Sequence, residues 1–409
     1  MSYKSDTTPR YNAKELAKYI AQKNNCPLVL GSATPDMESF YEAIESDKSN
    51  LYILTKRAND MKLPEVDVID LRQELANGNK SMLSIRLQKE IEINLKDKKQ
   101  TILFLNRRGY STFLMCRDCG HVFKCKNCNI SLTYHKIENK LKCHYCGFEQ
   151  SIPNICPECS SNKVKYFGTG TQKLEEEVQK LFPEASTIRM DIDTVTKKNS
   201  HEDILKRFKN ENIDILIGTQ MVVKGHHFPN VTLVGAITAD GILNIEDYRA
   251  PERTFQTLVQ VAGRSGRERP GKVIIQTYNP DNYAIIHSKN QNYEAFYNTE
   301  IVLRKMLKYP PFCDIILIKF QGTSIQELKK ASVIVYNKMK EFKNDSLLIY
   351  KPVPAPIDKI KNKYRWRMII KCKINSKLLD IIKYSIEDEQ ISKMKNTSII
   401  VDINPNSLA

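Results

Sequence analysis

Eight of the eleven cysteines stand in four Cys-x-x-Cys pairs between Cys116 and Cys159, while Cys26, Cys313 and Cys372 are scattered. Two intervening residues let one tight turn aim both thiolates at a single metal, and two such turns complete a tetrahedral sulfur site. Eight thiolates therefore make two sites with no ligand position left open for chemistry, and structural zinc is the expected occupant. A thiol–disulfide enzyme needs one reactive pair rather than four. An iron–sulfur cluster also takes four thiolates, but paired knuckles on short hairpins point to zinc ribbons. Gly120 and Gly147 directly follow Cys119 and Cys146, where a knuckle turns through positive φ. A nested pairing suits a module whose two ends return to one sheet. It groups Cys116, Cys119, Cys156 and Cys159 in one site, and Cys125, Cys128, Cys143 and Cys146 in the other. His121, His135 and His144 are read as surface or supporting groups.

On either side of the cysteines the hydrophobic pattern alternates between helix and strand periods. Helices are expected over Ala13–Ala21, Ser84–Lys96, Gln172–Phe182, Glu202–Lys209 and Thr254–Ala262. Strands are expected over Thr101–Leu105, Ser186–Met190, Ile213–Ile217, Val231–Ile237 and Val273–Thr277, with the PLVL run before GSATP as a further buried strand. Strands alternating with helices imply an α/β fold, a mostly parallel sheet covered on both faces. Because the pattern resumes after the cysteines, the metal module reads as an insert. Beyond Tyr309–Phe312 (YPPF) the character changes. Strands at Ile315–Phe320, Leu347–Tyr350, Trp366–Lys371 and Ser398–Asp402, with a helix at Ile325–Phe342, make a small α+β domain over 305–409.

A length of 409 residues is enough for two to four domains at about 150 residues each. Neither a run of about eighteen apolar residues nor an apolar leader is found, so a membrane partner is not expected and a cytoplasmic location is. The net charge of +16 favours a polyanionic partner, although abundant lysine from a biased composition would give the same value. The C-terminal domain concentrates charge. Lys351, Lys359, Lys361, Lys363, Arg365, Arg367 and Lys371 face one acid, Asp358, with Tyr364 and the sole tryptophan, Trp366, among them. Cations for phosphates and aromatics for bases make a single-stranded or forked DNA site. On a strand, Arg365 and Arg367 share a face and Trp366 points the other way. Trp366 is therefore either a base-stacking group or a core residue beneath a basic face.

The ordered set GSATP (Gly31–Pro35), ILFLNRRG (Ile102–Gly109), GTGTQ (Gly168–Gln172), ILIGTQMVVKGHHFPNV (Ile215–Val231) and QVAGRSGR (Gln260–Arg267) resembles the later motifs of superfamily 2 helicases. The KGHHFP wording and the double cysteine insert between LNRRG and GTGTQ resemble the primosomal protein N′ family of replication-restart DNA helicases. The likeness runs over essentially the whole chain. It implies a RecA-like helicase lobe over 51–111 and 168–300, a zinc insert over 112–167, a remnant of the first lobe over 1–50, and a DNA-binding domain at the C-terminus. By the same resemblance, Ser32 and Thr34 couple hydrolysis to DNA movement. Gln260, Arg264 and Arg267 act at the γ-phosphate, where arginines stabilise transition-state charge. Their spacing of four and three would place them on one helical face. Arg107, Thr219 and Lys224, in loops after strands, are expected at DNA phosphates, as are Lys363, Arg365 and Arg367, with Trp366 stacking. Implied partners are forked or single-stranded DNA, other primosome proteins and single-stranded DNA-binding protein. Implied polarity is 3′ to 5′.

A phosphate-binding loop is not found. Gly266–Lys272 fits G-x4-G-K, but Val273 stands where Mg2+ needs Ser or Thr, and the segment precedes a strand rather than a helix. No DEAH-like acidic pair follows a buried strand. In the family a basic stretch such as Tyr3–Tyr11 comes just after that pair. The expectation is a truncation, a split product or a misplaced start, inert as an ATPase alone, with ATP and Mg2+ binding only in a full-length or complemented protein. The rival readings are the motor enzyme itself, a non-catalytic zinc-containing DNA-binding or partner-docking fragment, and an unrelated zinc-ribbon protein, which the ordered motifs disfavour.

Overall fold

The computed structural model describes the chain apart from residues 1, 2, 6, 48, 55–62, 106–112, 136–137, 167–169, 191–199, 220–227, 266–269, 343–346 and 409, and the side chains of Tyr166, Ser200 and His201. Six parallel strands form the central sheet in the order Glu65–Asp70, Lys272–Thr277, Val231–Ala236, Gln100–Phe104, Ile215–Gly218, Thr187–Met190. Their near-continuous apolar sequences follow from burial on both faces. Ile102, Phe104, Val234 and Ile275 pack on one side against Leu205, Phe208, Leu258 and Val261. Leu103, Leu105, Leu233 and Ile274 pack on the other against Leu87, Ile91, Leu174 and Val178. Helices Ser200–Asn210 and Ala250–Ala262 thus cover the first face, and Ile85–Lys96 and Thr171–Leu181 the second.

The C-terminal unit is a five-stranded antiparallel sheet centred on Lys363–Cys372, which pairs with Asp314–Gly322 so that Phe320 lies opposite Trp366 and Leu317 opposite Ile369. One face, with Ile316, Ile318, Phe320, Met368 and Ile370, packs on Leu328, Ala331, Val335 and Met339 of the helix Ile325–Lys340. The other face, with Ile315, Leu317 and Ile369, packs on the cysteine module through Phe123, Ile130, Leu141 and Tyr145. The module lies against both the C-terminal sheet and the lobe.

Three sequence expectations change. The PLVL run before GSATP is exposed and without regular structure, Val29 being 88% accessible, because no described strand lies beside it to pair with. The strand Glu65–Asp70 was not anticipated: its acidic EVDVID alternation reflects an edge position with a single strand neighbour. Helix Ala250–Ala262 stops before Arg264, so Gln260 and Arg264 do not share one helical face, and Arg267 lies outside the described residues. The chain tightens there, with Arg264 N–H bonding Val261 O at 3.0 Å.

Candidate metal centres and motor interface

All four cysteine pairs fold into the same turn. The amide four residues after the first cysteine donates to that cysteine's carbonyl: Gly120 to Cys116 at 2.9 Å, Asn129 to Cys125 at 2.8 Å, Gly147 to Cys143 at 2.9 Å and Ser160 to Cys156 at 2.9 Å. This geometry drives the donor residue to positive φ, 76° and 77° at the glycines, 54° at Asn129 and 57° at Ser160. Gly120 has a second reason to lack a side chain, because a Cβ there would meet Tyr278 O at 2.2 Å.

The turns assemble in the nested order. Cys116, Cys119, Cys156 and Cys159 converge in one cluster and Cys125, Cys128, Cys143 and Cys146 in the other, with the sulfurs of each within 4.8 Å of one another. Across the pairs, Cys116–Cys159 and Cys119–Cys156 are 3.6 Å apart and Cys125–Cys146 3.5 Å. A zinc–sulfur distance of about 2.3 Å sets tetrahedral sulfur separations of about 3.8 Å, so both clusters fit zinc as all-thiolate sites. The first faces the lobe, where Arg72 Nη1 donates to Cys119 O at 3.2 Å while its guanidinium grips Asp70. The second is the more buried and carries Tyr309 OH on Cys128 O at 3.2 Å. None of the three histidines near the pairs is drawn into either cluster. His144 is held neutral, its pKa pushed down to about 3 by burial and by the Arg367 charge.

Two of the helicase motifs, GSATP and QVAGRSGR, meet on the helix Ala250–Ala262. In the GSATP turn Ser32 is exposed, Thr34 is buried, and Thr34 N–H bonds Ser32 Oγ at 3.1 Å. Gln256 Nε2 reaches Thr34 O and Pro35 O, and Glu252 Oε1 accepts Met37 N–H at 3.1 Å. Gln260 is exposed at the last turn, and Arg264 follows half-buried. Ser265, fully buried, anchors the turn by donating to Thr232 O at 2.9 Å. Thr219 is buried just after the strand Ile215–Gly218. Arg107, Lys224 and Arg267 lie outside the described residues. Lys272, the lysine of the G-x4-G-K match, opens a strand and holds both oxygens of Glu90 at 3.0 Å, so it does not serve a phosphate loop.

In the basic stretch Lys363 is exposed and Arg365 half-buried. Trp366 is half-buried and packs with the helix-side core, with Lys329 Nζ 5.6 Å from its ring centroid. Arg367, expected at the DNA surface, is instead 2% exposed. Its Nε donates to His144 O at 3.0 Å and its Nη2 lies 3.8 Å from Glu246. The period-two reading assigned its face correctly, but that face is covered by the cysteine module. Lys371 is buried likewise, 3.5 Å from the Tyr309 ring centroid and bonded to Leu307 O.

A RecA-like parallel sheet with two helicase motifs at one helix, an inserted pair of four-cysteine clusters and a C-terminal α+β domain together define a helicase-family lobe with a cysteine-rich insert. Family profiles match in the same order: the PriA DNA helicase Cys-rich region domain at 125–150, the helicase conserved C-terminal domain at 150–269 and the primosomal protein N C-terminal domain at 305–406. The replication restart protein PriA of Bacillus subtilis is 45% identical over 409 residues, 99% of this chain and 50% of that protein. The PriA of Synechocystis is 40% identical over 98% of this chain and 49% of its own length, and that of Borreliella burgdorferi 36% identical over 100% and 60%. The chain belongs to the PriA family of replication restart proteins, and it spans about half the length of the first two of these relatives.

Proposed function

We propose that residues 1–409 supply the second motor lobe, the zinc module and the DNA-binding domain of an ATP-dependent replication-restart helicase, and that alone they bind DNA without hydrolysing ATP. The observation that carries this reading is the junction on helix Ala250–Ala262. There the GSATP turn is hydrogen-bonded to the same helix that leads into Arg264. Such a junction suits the transmission of a nucleotide state, with Arg264 and Arg267 stabilising charge on a transferring phosphoryl group and Ser32 and Thr34 as the coupling hydroxyls. The nucleotide's own cradle is a different matter. Lys272 is committed to Glu90, and the sequence holds no other G-x4-G-K segment. ATP and Mg2+ therefore enter only when a phosphate-loop lobe is supplied.

Two zinc ions are proposed as structural cofactors of the two four-cysteine clusters. Forked or single-stranded DNA is the proposed substrate, contacted by Arg107, Thr219, Lys224, Lys363 and Arg365. Family likeness adds other primosome proteins and single-stranded DNA-binding protein as proposed partners, and a cytoplasmic location. The test is ATP turnover with forked DNA. The purified chain should match a buffer blank, and a separately produced first lobe from a PriA relative should restore turnover that Arg264→Ala abolishes. Turnover by the chain alone, or restored turnover indifferent to Arg264→Ala, would refute the reading.

A further inference from the structure

The third cysteine turn is unlike the other three in what its middle residues touch. Between Cys143 and Cys146 stand His144 and Tyr145, both almost fully buried. His144 N–H donates to Glu246 Oε1 of the lobe at 2.5 Å, and His144 Nδ1 lies 2.9 Å from Pro354 O of the C-terminal domain. The carbonyl of His144 accepts from Arg367 Nε of the C-terminal domain at 3.0 Å. Tyr145 OH accepts Tyr248 N–H of the lobe at 3.4 Å, while the Arg367 guanidinium lies 5.5 Å from the Tyr145 ring centroid. Even Gly147, one residue on, is close enough that a Cβ would meet Val353 Cγ1 of the C-terminal domain at 3.1 Å. The lobe's contribution converges on one carboxylate. Glu246, 3% exposed, also accepts Thr133 Oγ1 of the module at 3.0 Å and pairs with Arg367 at 3.8 Å.

We propose that the Cys125/Cys128/Cys143/Cys146 site is the orienting joint of the molecule: closure of this site holds His144 and Tyr145 in place, and these two residues fix the C-terminal domain against the helicase lobe. The argument is one of constraint. A turn of four residues clamped at both ends has almost no freedom at the two residues between, so their backbone and side-chain groups become fixed points for neighbours. Arg367 is a buried charge and Glu246 a buried carboxyl group, and the partners of both depend on that placement. Among the described residues, neither Nη of Arg367 has a hydrogen-bond partner, so its hold on the joint rests on Nε, Glu246 and the tyrosine ring. Displacing His144 would leave buried charge under-compensated, which is costly in a way surface contacts are not. The first site has no such reach. Its turns contact the lobe through Arg72 and Tyr278, and its inner residues Arg117 and Asp118 engage Tyr278 and Lys163. Glu246, His144 and Arg367 are thus positioning residues, and the joint does not depend on whether the chain works as half of a helicase.

The test uses the full chain loaded with zinc, carrying a donor and an acceptor dye on unnatural amino acids at Lys96 of the lobe and Lys330 of the C-terminal domain, both exposed. Energy transfer between them is read together with metal content. Arg367→Met should keep the metal content of the parent while shifting and broadening the transfer distribution. Cys128→Ser should lose one ion and broaden it likewise. Cys156→Ser should lose one ion and leave the distribution at that of the parent. The proposal is overturned if Arg367→Met leaves the distribution unchanged, or if Cys156→Ser broadens it as much as Cys128→Ser. Arg367→Met keeps every cysteine, so the outcome does not hinge on a module that has lost its metal.

Discussion

Gln256 donates from Nε2 to the carbonyl oxygens of Thr34 at 3.4 Å and Pro35 at 3.3 Å, binding the GSATP turn to the helix that leads into Arg264. One turn earlier on the same helix, Glu252 accepts from Met37 N–H with one oxygen and from Arg304 Nη2 with the other at 2.6 Å. The two side chains sit on one helical stripe, so the turn, the arginine helix and the helix entering the C-terminal domain share a single line of contacts.

Glu252 is the critical member of that line. Glu252→Ala leaves the buried Arg304 guanidinium with Glu300 and a longer contact to Glu38. Breaking a buried pair at one end costs about 3–5 kcal/mol, and the surviving partners put this case at the lower end. Gln256→Ala, by contrast, removes two long neutral bonds and should cost about 1 kcal/mol or less. Urea unfolding of the two variants checks the ordering, and equal losses would contradict it.

Elemental analysis of the purified chain should return two zinc ions. Cys125→Ser should unfold the insert at a lower temperature than the parallel sheet, since metal-binding energy is folding energy for such modules. A chelator should act in the same direction. Circular dichroism of the lobe against intrinsic tyrosine signals from the module separates the two transitions.

DNA affinity should fall steeply with salt, because contacts through Lys363 and its neighbours release counterions. Lys363→Ala should lower the slope of log affinity against log salt by about 0.9, the share of one phosphate. Arg367→Ala should leave that slope alone and lower the melting temperature instead, since Arg367 is buried in the joint. Trp366→Ala should cost about 2 kcal/mol of stability, less than a fully buried tryptophan loses, with the folded fraction binding DNA as before. Salt titrations and melting curves on the three variants discriminate these outcomes.

Burial pushes the Glu246 carboxyl up from its ordinary 4.5 to about 7, outweighing the attraction of Arg367 and the bonds from His144 N–H and Thr133. The folded state then holds this proton more tightly than the unfolded chain. The stabilisation is complete below the unfolded value and is lost as pH rises through about 7. The melting temperature of the parent, measured relative to Glu246→Gln, should therefore fall between about pH 4.5 and about pH 7 and level off above that. A difference that rises with pH would mean that the carboxylate, not the acid, is the better fit.

What was legible in the sequence was what local chemistry decides. The Cys-x-x-Cys turns announce themselves because ligand spacing and the positive-φ residue after each pair are encoded within five residues. The strands of the lobe were readable because both faces are buried, so Thr101 to Leu105 carry apolar or small groups throughout. Long-range facts were not readable in the same way. PLVL has the composition of a strand, but a strand exists only beside a partner. EVDVID has the alternation but hides it under acids at a sheet edge. The period-two pattern puts Arg367 on the right face of its strand, yet nothing near it in sequence says that the cysteine module lies over that face.

Along Lys363–Cys372 the even-numbered residues Tyr364, Trp366, Met368 and Ile370 turn to the helices, while on the other face Arg367 turns to the module and Lys371 to Leu307 and Tyr309. A single inserted or deleted residue within this strand would exchange the two sets and drive two cations into an aliphatic interior. The segment therefore tolerates altered letters far better than altered length. Slack in the chain has one natural outlet close by, the reverse turn at Lys361 and Asn362, whose φ values of 47° and 61° already belong to the left-handed region. Length variation among relatives of this protein is expected to collect at that turn and to stop at Lys363.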